Sequence, residues 1–208
     1  MNSLSSNDCR TLLSAVHKIY ALTDIEQFPV TVLSALRQVL PCNNICYNDV
    51  NIPESRMSWI TEPAEALPSP ALQEMFNRYL HEHPLIAHSG SPGPAKSQRI
   101  SDFLSKRQFH RLALYNEYYR PLGVEYQLGT MISMSDVHVI AIAFDRDHLD
   151  FSESERLCLD LLGPHLRQAY RNLQMMKLMK NAVEGKEKKL VIVDRTGQVE
   201  SMNEDVRR

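Results

Sequence analysis

The sequence predicts an α+β domain: a central antiparallel sheet, helices from both chain ends on one face, and a helical excursion on the other. Three observations carry this. Apolar residues recur at helical spacing near both ends of the chain, they alternate or run as short β-rich blocks in two separated regions, and an aromatic-rich stretch lies between those regions.

Cys9, Leu12, Leu13, Val16, Ile19 and Tyr20 follow the capping candidates Asn7 and Asp8 and predict an amphipathic first helix. Asp24, with Gln27 three residues on, opens a second helix whose stripe is Phe28, Val32, Leu33, Leu36, Val39 and Leu40, and Pro41 ends it. Asn44 to Val50 and Arg56 to Ile60 read as a strand pair. Ser69-Pro70 starts a third helix carrying Leu72, Met75, Phe76, Tyr79 and Leu80, which His83-Pro84 terminates. The glycines and prolines of Pro84 to Ser97 predict a mobile surface loop.

Ile100 to Arg120 predicts two or three short helices, with Ser105 and Gln108 in capping-box spacing and Pro121 and Gly123 closing the segment. The period then changes to alternation: Val124, Tyr126, Leu128, Thr130, Ile132 and Met134 on one face of a long strand, Glu125, Gln127 and Ser133 on the other. After a turn at Ser135-Asp136, Val137 to Phe144 is apolar on both faces, as a covered central strand would be. Ser152 and Glu155 open a long helix to about Val183, in which Gly163-Pro164 predicts a kink or a split. Its residues Leu159, Leu162, Leu166, Ala169, Leu173 and Met176 form a seam of alternating 3 and 4 spacing, read as a homodimer interface; the other reading packs the same seam on the domain's own sheet. Residues 1–184 are therefore expected to form the main domain. Residues 185–208 are expected to be a linker and the incomplete start of another module, with Leu190–Val193 and Val199–Met202 as a hairpin.

Placed between the early and late strands, the excursion Ala64 to Gly123 should cover the second sheet face and wall off a cavity, the layout of a GAF domain. The stretch Ile100-Ser101-Asp102-Phe103-Leu104, with Phe109 and Leu114-Tyr115-Asn116-Glu117-Tyr118-Tyr119-Arg120-Pro121-Leu122-Gly123-Val124, resembles the GAF-like sensor half of bacterial LuxR-type transcription regulators. Asp150-Phe151-Ser152-Glu153-Ser154-Glu155-Arg156 and Leu161-Leu162-Gly163-Pro164-His165-Leu166 resemble the entry to that family's final helix, and Leu190 to Arg208 resembles the PAS-like segment ahead of its helix-turn-helix. The resemblance implies a non-enzymatic sensory domain that binds a small effector and signals through its terminal helices. No helix-turn-helix follows here, so DNA reading is expected only from a segment absent from this chain.

Composition agrees with a globular regulator. Of 208 residues, 43% are hydrophobic and 23% charged, which excludes collagenous, disordered and low-complexity classes. Lys+Arg 23 against Asp+Glu 25 leaves a net charge of −2, so this chain has no positive field for a polyanion. No stretch reaches the roughly 20 apolar residues of a membrane helix, and Met1 to Asp8 is polar where a signal peptide is apolar, so a cytoplasmic protein is expected. Cys9, Cys42, Cys46 and Cys158 are too scattered to suggest staples and are expected as free thiols.

The ligand-binding candidates are Trp59, His110, Tyr115, Tyr118, Tyr119 and Tyr126, because amphipathic rings both stack on a ligand and hydrogen-bond to it. Packing of the excursion onto the sheet is the competing use of the same rings, and Ile140, Ile142 and Phe144 would floor either a pocket or a filled core. No catalytic residue, metal site or cofactor is expected. His81, Glu82, His83 and His88 lack ligand spacing, and Asp145, Asp147, Asp150 and Glu153 read as solvated carboxylates ahead of a helix. A redox pair of Cys42 and Cys46 is the enzymatic alternative, and an interaction domain with a filled core is the other.

Overall fold

The computed structural model describes residues 4–51, 56–87, 96–135 and 138–183, together with the backbone of 191–193 and 199–202. Five antiparallel strands form the sheet: β1 (Asn44–Asn51), β2 (Arg56–Glu62), β3 (Gln98–Arg99), β4 (Tyr126–Met134) and β5 (His138–Arg146). Their order is β2-β1-β5-β4-β3, so β5 is central and the excursion between β2 and β4 contributes its own edge strand. This is the α+β GAF-like architecture expected from the sequence.

The terminal helices α1 (Ser6–Tyr20), α2 (Phe28–Val39) and α6 (Glu153–Val183) cover one face. Ser5, rather than Asn7 or Asp8, caps α1: its hydroxyl accepts from the Asp8 N–H at 3.1 Å, while the Asp8 carboxylate accepts from the Ser5 N–H at 2.8 Å. Asp24 caps a 3-10 turn, Ile25–Gln27, that leads into α2. The Ser152–Glu155 box opens α6 as expected. At Gly163-Pro164 the helix neither splits nor ends. Leu159 and Leu162 on one side of the proline and Leu166 on the other are almost fully buried, and that burial outweighs the cost, about 3 kcal/mol, of a proline inside a helix.

The seam expected to pair two copies is instead internal. Leu159, Leu162, Leu166, Ala169 and Leu173 are each no more than 3% exposed and pack with Phe28, Val32, Leu36, Ile45, Tyr47, Leu128, Ile140, Ile142 and Phe144; Met176, at 45%, is the exposed member. A 3-4 spacing gives any helix one apolar stripe, and here the domain's own sheet takes it. Ile140, Ile142 and Phe144 accordingly fill this core and do not floor the excursion side.

Opposite lies a lid made of α3 (Pro70–Tyr79), α4 (Pro84–Ala87), a 3-10 turn at Ile100–Asp102, α5 (Lys106–Phe109) and a π-helical turn at Tyr115–Tyr119. Phe76, Ile100, Phe109, Leu114, Tyr115, Tyr118, Tyr119 and Val124 form its core. Gly123, at φ +70°, turns the chain out of the lid into β4. The window Pro84 to Ser97 is not a plain loop at its ends: Pro84–Ala87 is helical, and the buried Ser97 donates its N–H to Asp160 of α6 at 2.7 Å. Residues 88–95 lie outside the described residues, as do Val137 and the Lys186–Lys189 run. Further on, β6 (Val191–Val193) and β7 (Val199–Met202) pair antiparallel, as the hairpin signal predicts.

Because the stripe of α6 is core, Leu166→Ala is expected to lower unfolding free energy by about 2–5 kcal/mol, against a change of about 0.5 kcal/mol or less for Met176→Ser. Urea denaturation of the two variants checks this, and comparable losses would contradict the assignment.

Candidate functional site

The lid-facing side of the sheet is organised in cross-strand rows fixed by register. One end row is Met57, Val50, Val139 and Met134; next come Trp59, Asn48, Ala141 and Met131, then Thr61, Cys46, Ala143 and Gly129, and at the far end Asn44, Asp145 and Gln127. Met134 belongs to this face, contrary to the alternation read from the sequence. A register shift between Met131 and Ser133 inserts Ile132 as an extra residue, and the phase flips beyond it.

The lid is fastened at the far end by a buried hydrogen-bond relay. The Leu85 N–H donates to His83 Nδ1 at 3.2 Å, which leaves the proton of the neutral ring on Nε2, 2.8 Å from the Tyr119 hydroxyl. Tyr119 donates to Gln127 Oε1 at 3.2 Å, and Gln127 Nε2 donates to Asp145 Oδ1 at 2.9 Å. Asn44 Nδ2 donates to the other carboxylate oxygen at 3.1 Å. Every donor therefore points toward Asp145. Burial pushes the Asp145 carboxyl up to about 6, partly opposed by its two amide donors, and pushes His83 down to about 4.

Toward the other end the cover over the sheet thins. Leu85 still closes over Gly129, with its Cδ1 2.8 Å from where a glycine Cβ would stand, and Phe76 meets Trp59 edge-on at 6.1 Å. Beyond them Ala141, Asn48, Met131, Val139 and Val50 remain partly exposed although they lie on β1, β4 and the central β5. This end of the lid-facing side is thus incompletely covered, and its surface carries small and apolar side chains around Asn48.

The six predicted ligand residues fall into three places. Trp59, Tyr118 and Tyr119 belong to one aromatic chain at the lid–sheet interface: Trp59 touches Phe76, Phe76 lies 4.8 Å from Tyr118, and Tyr118 lies 5.0 Å from Tyr119. His110 and Tyr115 stack at 4.1 Å on the lid's flank and both bind Glu125, at 2.8 and 2.6 Å. With Lys106 at 3.0 Å, these contacts hold the Glu125 carboxyl down at about 2 against its burial. Tyr126 shares the face of Leu128, packs against the terminal-helix core and carries Lys106 over its ring at 5.3 Å.

Sequence reading missed the relay. Asp145 was read as solvated, but it is 7% exposed, because β5 continues to Arg146 and the alternation of Val139, Ala141 and Ala143 reaches it. That extended alternation was the available signal. The histidine group does not assemble a metal site among the described residues: Glu82 accepts from the Leu114 N–H at 2.9 Å, His83 is committed to the relay, and His88 lies outside them. All four cysteines are free thiols. Burial raises Cys42 to about 11 and Cys46 well above its ordinary value.

No family model matches this chain, and no curated protein sequence does. Solved structures share its fold. The ligand-binding domain of VqsR from Pseudomonas aeruginosa superposes with a TM-score of 0.54 at 15% identity, over 80% of this chain and 96% of that one. The N-acylhomoserine lactone dependent LuxR-family factor CepR2 from Burkholderia cenocepacia gives 0.53 at 11%, over 82% and 98%. SdiA of Escherichia coli, in its complex with octanoyl-rac-glycerol, gives 0.54 at 11%, over 89% and 81%. The chain therefore has the fold of LuxR-family ligand-binding domains.

The relay predicts two opposed pH dependences. His83 is depressed, so its contribution is full above about 6.5 and is lost as pH falls toward 4; Asp145 is raised, so its contribution is full below 3.8 and is lost as pH climbs through 6. Relative to the parent chain, Asp145→Asn should gain stability with rising pH between 4.5 and 6, and His83→Gln should lose it, each by up to about 1.4 kcal/mol per pH unit. Urea midpoints at several pH values test this, and parallel curves would contradict it.

Proposed function

We propose that this chain is a non-enzymatic sensory module of a LuxR-type transcription regulator, and that a small effector with an apolar tail enters between the lid and the incompletely covered end of the sheet, in a cleft over Val139 and Ala141. The observation that carries this reading is the partly exposed Ala141 on the central strand, next to the end of the sheet where, among the described residues, the relay fastens the lid. Small floor residues leave depth, Met57 and Met131 supply adaptable walls, and Trp59 and Tyr118 supply rings. Tyr119 acts in this reading through the relay, while His110, Tyr115 and Tyr126 serve the lid flank and the opposite face. Acyl compounds fit such a slot, and the names of CepR2 and of the SdiA complex carry one each.

The mechanism is mechanical. Ligand that prefers one lid position biases the lid, and Arg99 passes the bias on, since it lies within the lid segment, next to the turn at Ile100–Asp102, and binds both Glu153 and the Phe151 carbonyl, at 2.7 Å each, where α6 begins. A homodimer formed on the exposed end of α6, at Met175, Met176 and Met179, would carry it further. The cysteine-enzyme reading has less support, because a nucleophilic thiol needs a lowered rather than a raised pKa.

Trp59 is the sole tryptophan and reports on the cleft directly. Titration with octanoyl glycerol and with an octanoyl homoserine lactone is expected to shift its emission and raise the melting temperature. Ala141→Leu, which fills the floor, is expected to weaken the response about tenfold or more while the fold is kept. An unchanged emission with both compounds would overturn the reading.

A further inference from the structure

The two edges of the sheet are finished differently. On one side β3 is only two residues long, whereas on the other β2 runs seven residues, Arg56–Glu62, with no charge, proline or glycine from Met57 to Thr61. A short edge gives an incoming strand little to pair with, and a long uncharged one is a template. Backbone groups alternate in direction along a strand, so the sheet itself fixes which of them β2 turns outward. The Asp145 carbonyl of β5 turns to the β1 side, where it accepts from the Asn43 N–H at 3.0 Å, and the Arg146 carbonyl turns the other way, to the Glu125 N–H at 2.8 Å. Carried along the register, this turns Cys46, Asn48 and Val50 of β1 toward β5, and Tyr47, Asp49 and Asn51 toward Ile60, Ser58 and Arg56 of β2. Met57, Trp59 and Thr61 therefore hold their N–H and C=O groups at the open edge, where no hydrogen bond meets them among the described residues. Apolar surface lines the same edge. Ile60 is 40% exposed, and Leu67, which follows the turn Ala64–Ala66 packed on β2, is 46% exposed.

We propose that this edge is an interaction surface for a second copy of the chain, whose β2 pairs with it antiparallel about a two-fold axis at Trp59. The charges of the strand select both this occupant and this register. Arg56 and Glu62 flank Trp59 symmetrically, so the two-fold sets Arg56 of each copy opposite Glu62 of the other, with Ser58 opposite Ile60 between them. Met57 then meets Thr61, and Trp59 of one copy meets Trp59 of the other. These are the residues with open backbone groups, and about six N–H···O bonds join the two sheets into one. Parallel pairing in register would set Arg56 against Arg56 and Glu62 against Glu62, and a slide either way would separate the opposite charges. The contact leaves α6 free, so the exposed methionines at its end remain a separate surface.

Sedimentation velocity of the whole chain, at up to millimolar concentration, tests this. The parent chain is expected to dimerise. Glu62→Arg makes both ends of the strand basic and Arg56→Glu makes both acidic, so each alone is expected to weaken dimerisation about tenfold or more. An equimolar mixture of the two variants is expected to recover it, because each basic end then meets an acidic one. The Glu62 carbonyl keeps its bond from Arg37 in either variant, since only side chains change. If a charge variant fails to fold, Ser58→Cys mixed with Ile60→Cys decides: oxidation with diamide is expected to join position 58 of one chain to position 60 of the other, located by peptide mass mapping. A parent chain that stays monomeric at millimolar concentration, which leaves the edge to a strand of a different protein, would overturn the proposal. So would dimerisation indifferent to both charge variants, a mixture that does not recover, or the absence of the 58–60 cross-link.

Discussion

A carboxylate buried without a countercharge is the constraint around which the lid side of this molecule is arranged. Asp145 ends the central strand on the lid face, and removing its charge from water costs several kcal/mol unless donors replace the lost hydration. Asn44 lies beside it on β1 and Gln127 on β4. Gln127 can keep its N–H on Asp145 only if its carbonyl finds a donor, which Tyr119 supplies, and Tyr119 in turn accepts from a histidine that must stay neutral. Fastening the lid is thus a consequence of satisfying one strand-end charge.

The two sheet faces then hold their covers by different physics. Toward α2 and α6 the contacts are continuous and largely apolar, mostly aliphatic with Phe28, Phe144, Phe151 and Tyr170 among them, which favours a fixed arrangement. Toward the lid they are aromatic and hydrogen-bonded, gathered at one end, with small, partly exposed residues at the other. Straps join lid and helix layers at the edge, among them Arg99 to Glu153, Asp102 to Arg156, and Ser97 to Asp160. A lid held this way can change position without disturbing the helix-side core.

Much of this was legible in the residues. The changes of period placed both cores, Ser105–Gln108 and Ser152–Glu155 set helix starts, and the lid was recognisable from its tyrosines, whereas the cap of α1 lies at Ser5 and not at Asn7 or Asp8. Three things were not legible, each for a physical reason. The 3-4 stripe of α6 is the same whether a helix meets a sheet or another copy, and exposure alone separates the two. The bulge at Ile132 lies within an apolar run that shows no break in pattern. Asp145 stands beside Arg146 and Asp147, so its segment reads as a polar loop, although the strand runs through it and buries the carboxyl.

The central claim is that one buried relay fastens the lid independently of the helix layer. Hydrogen exchange of Tyr119→Phe against the parent chain tests it most directly, since the change removes one hydroxyl and keeps the ring. Amides of residues 70–87 and 100–124 are expected to lose protection by about tenfold or more while those of α2 and α6 keep theirs. Uniform loss across both layers, or unchanged protection in the lid, would contradict the account.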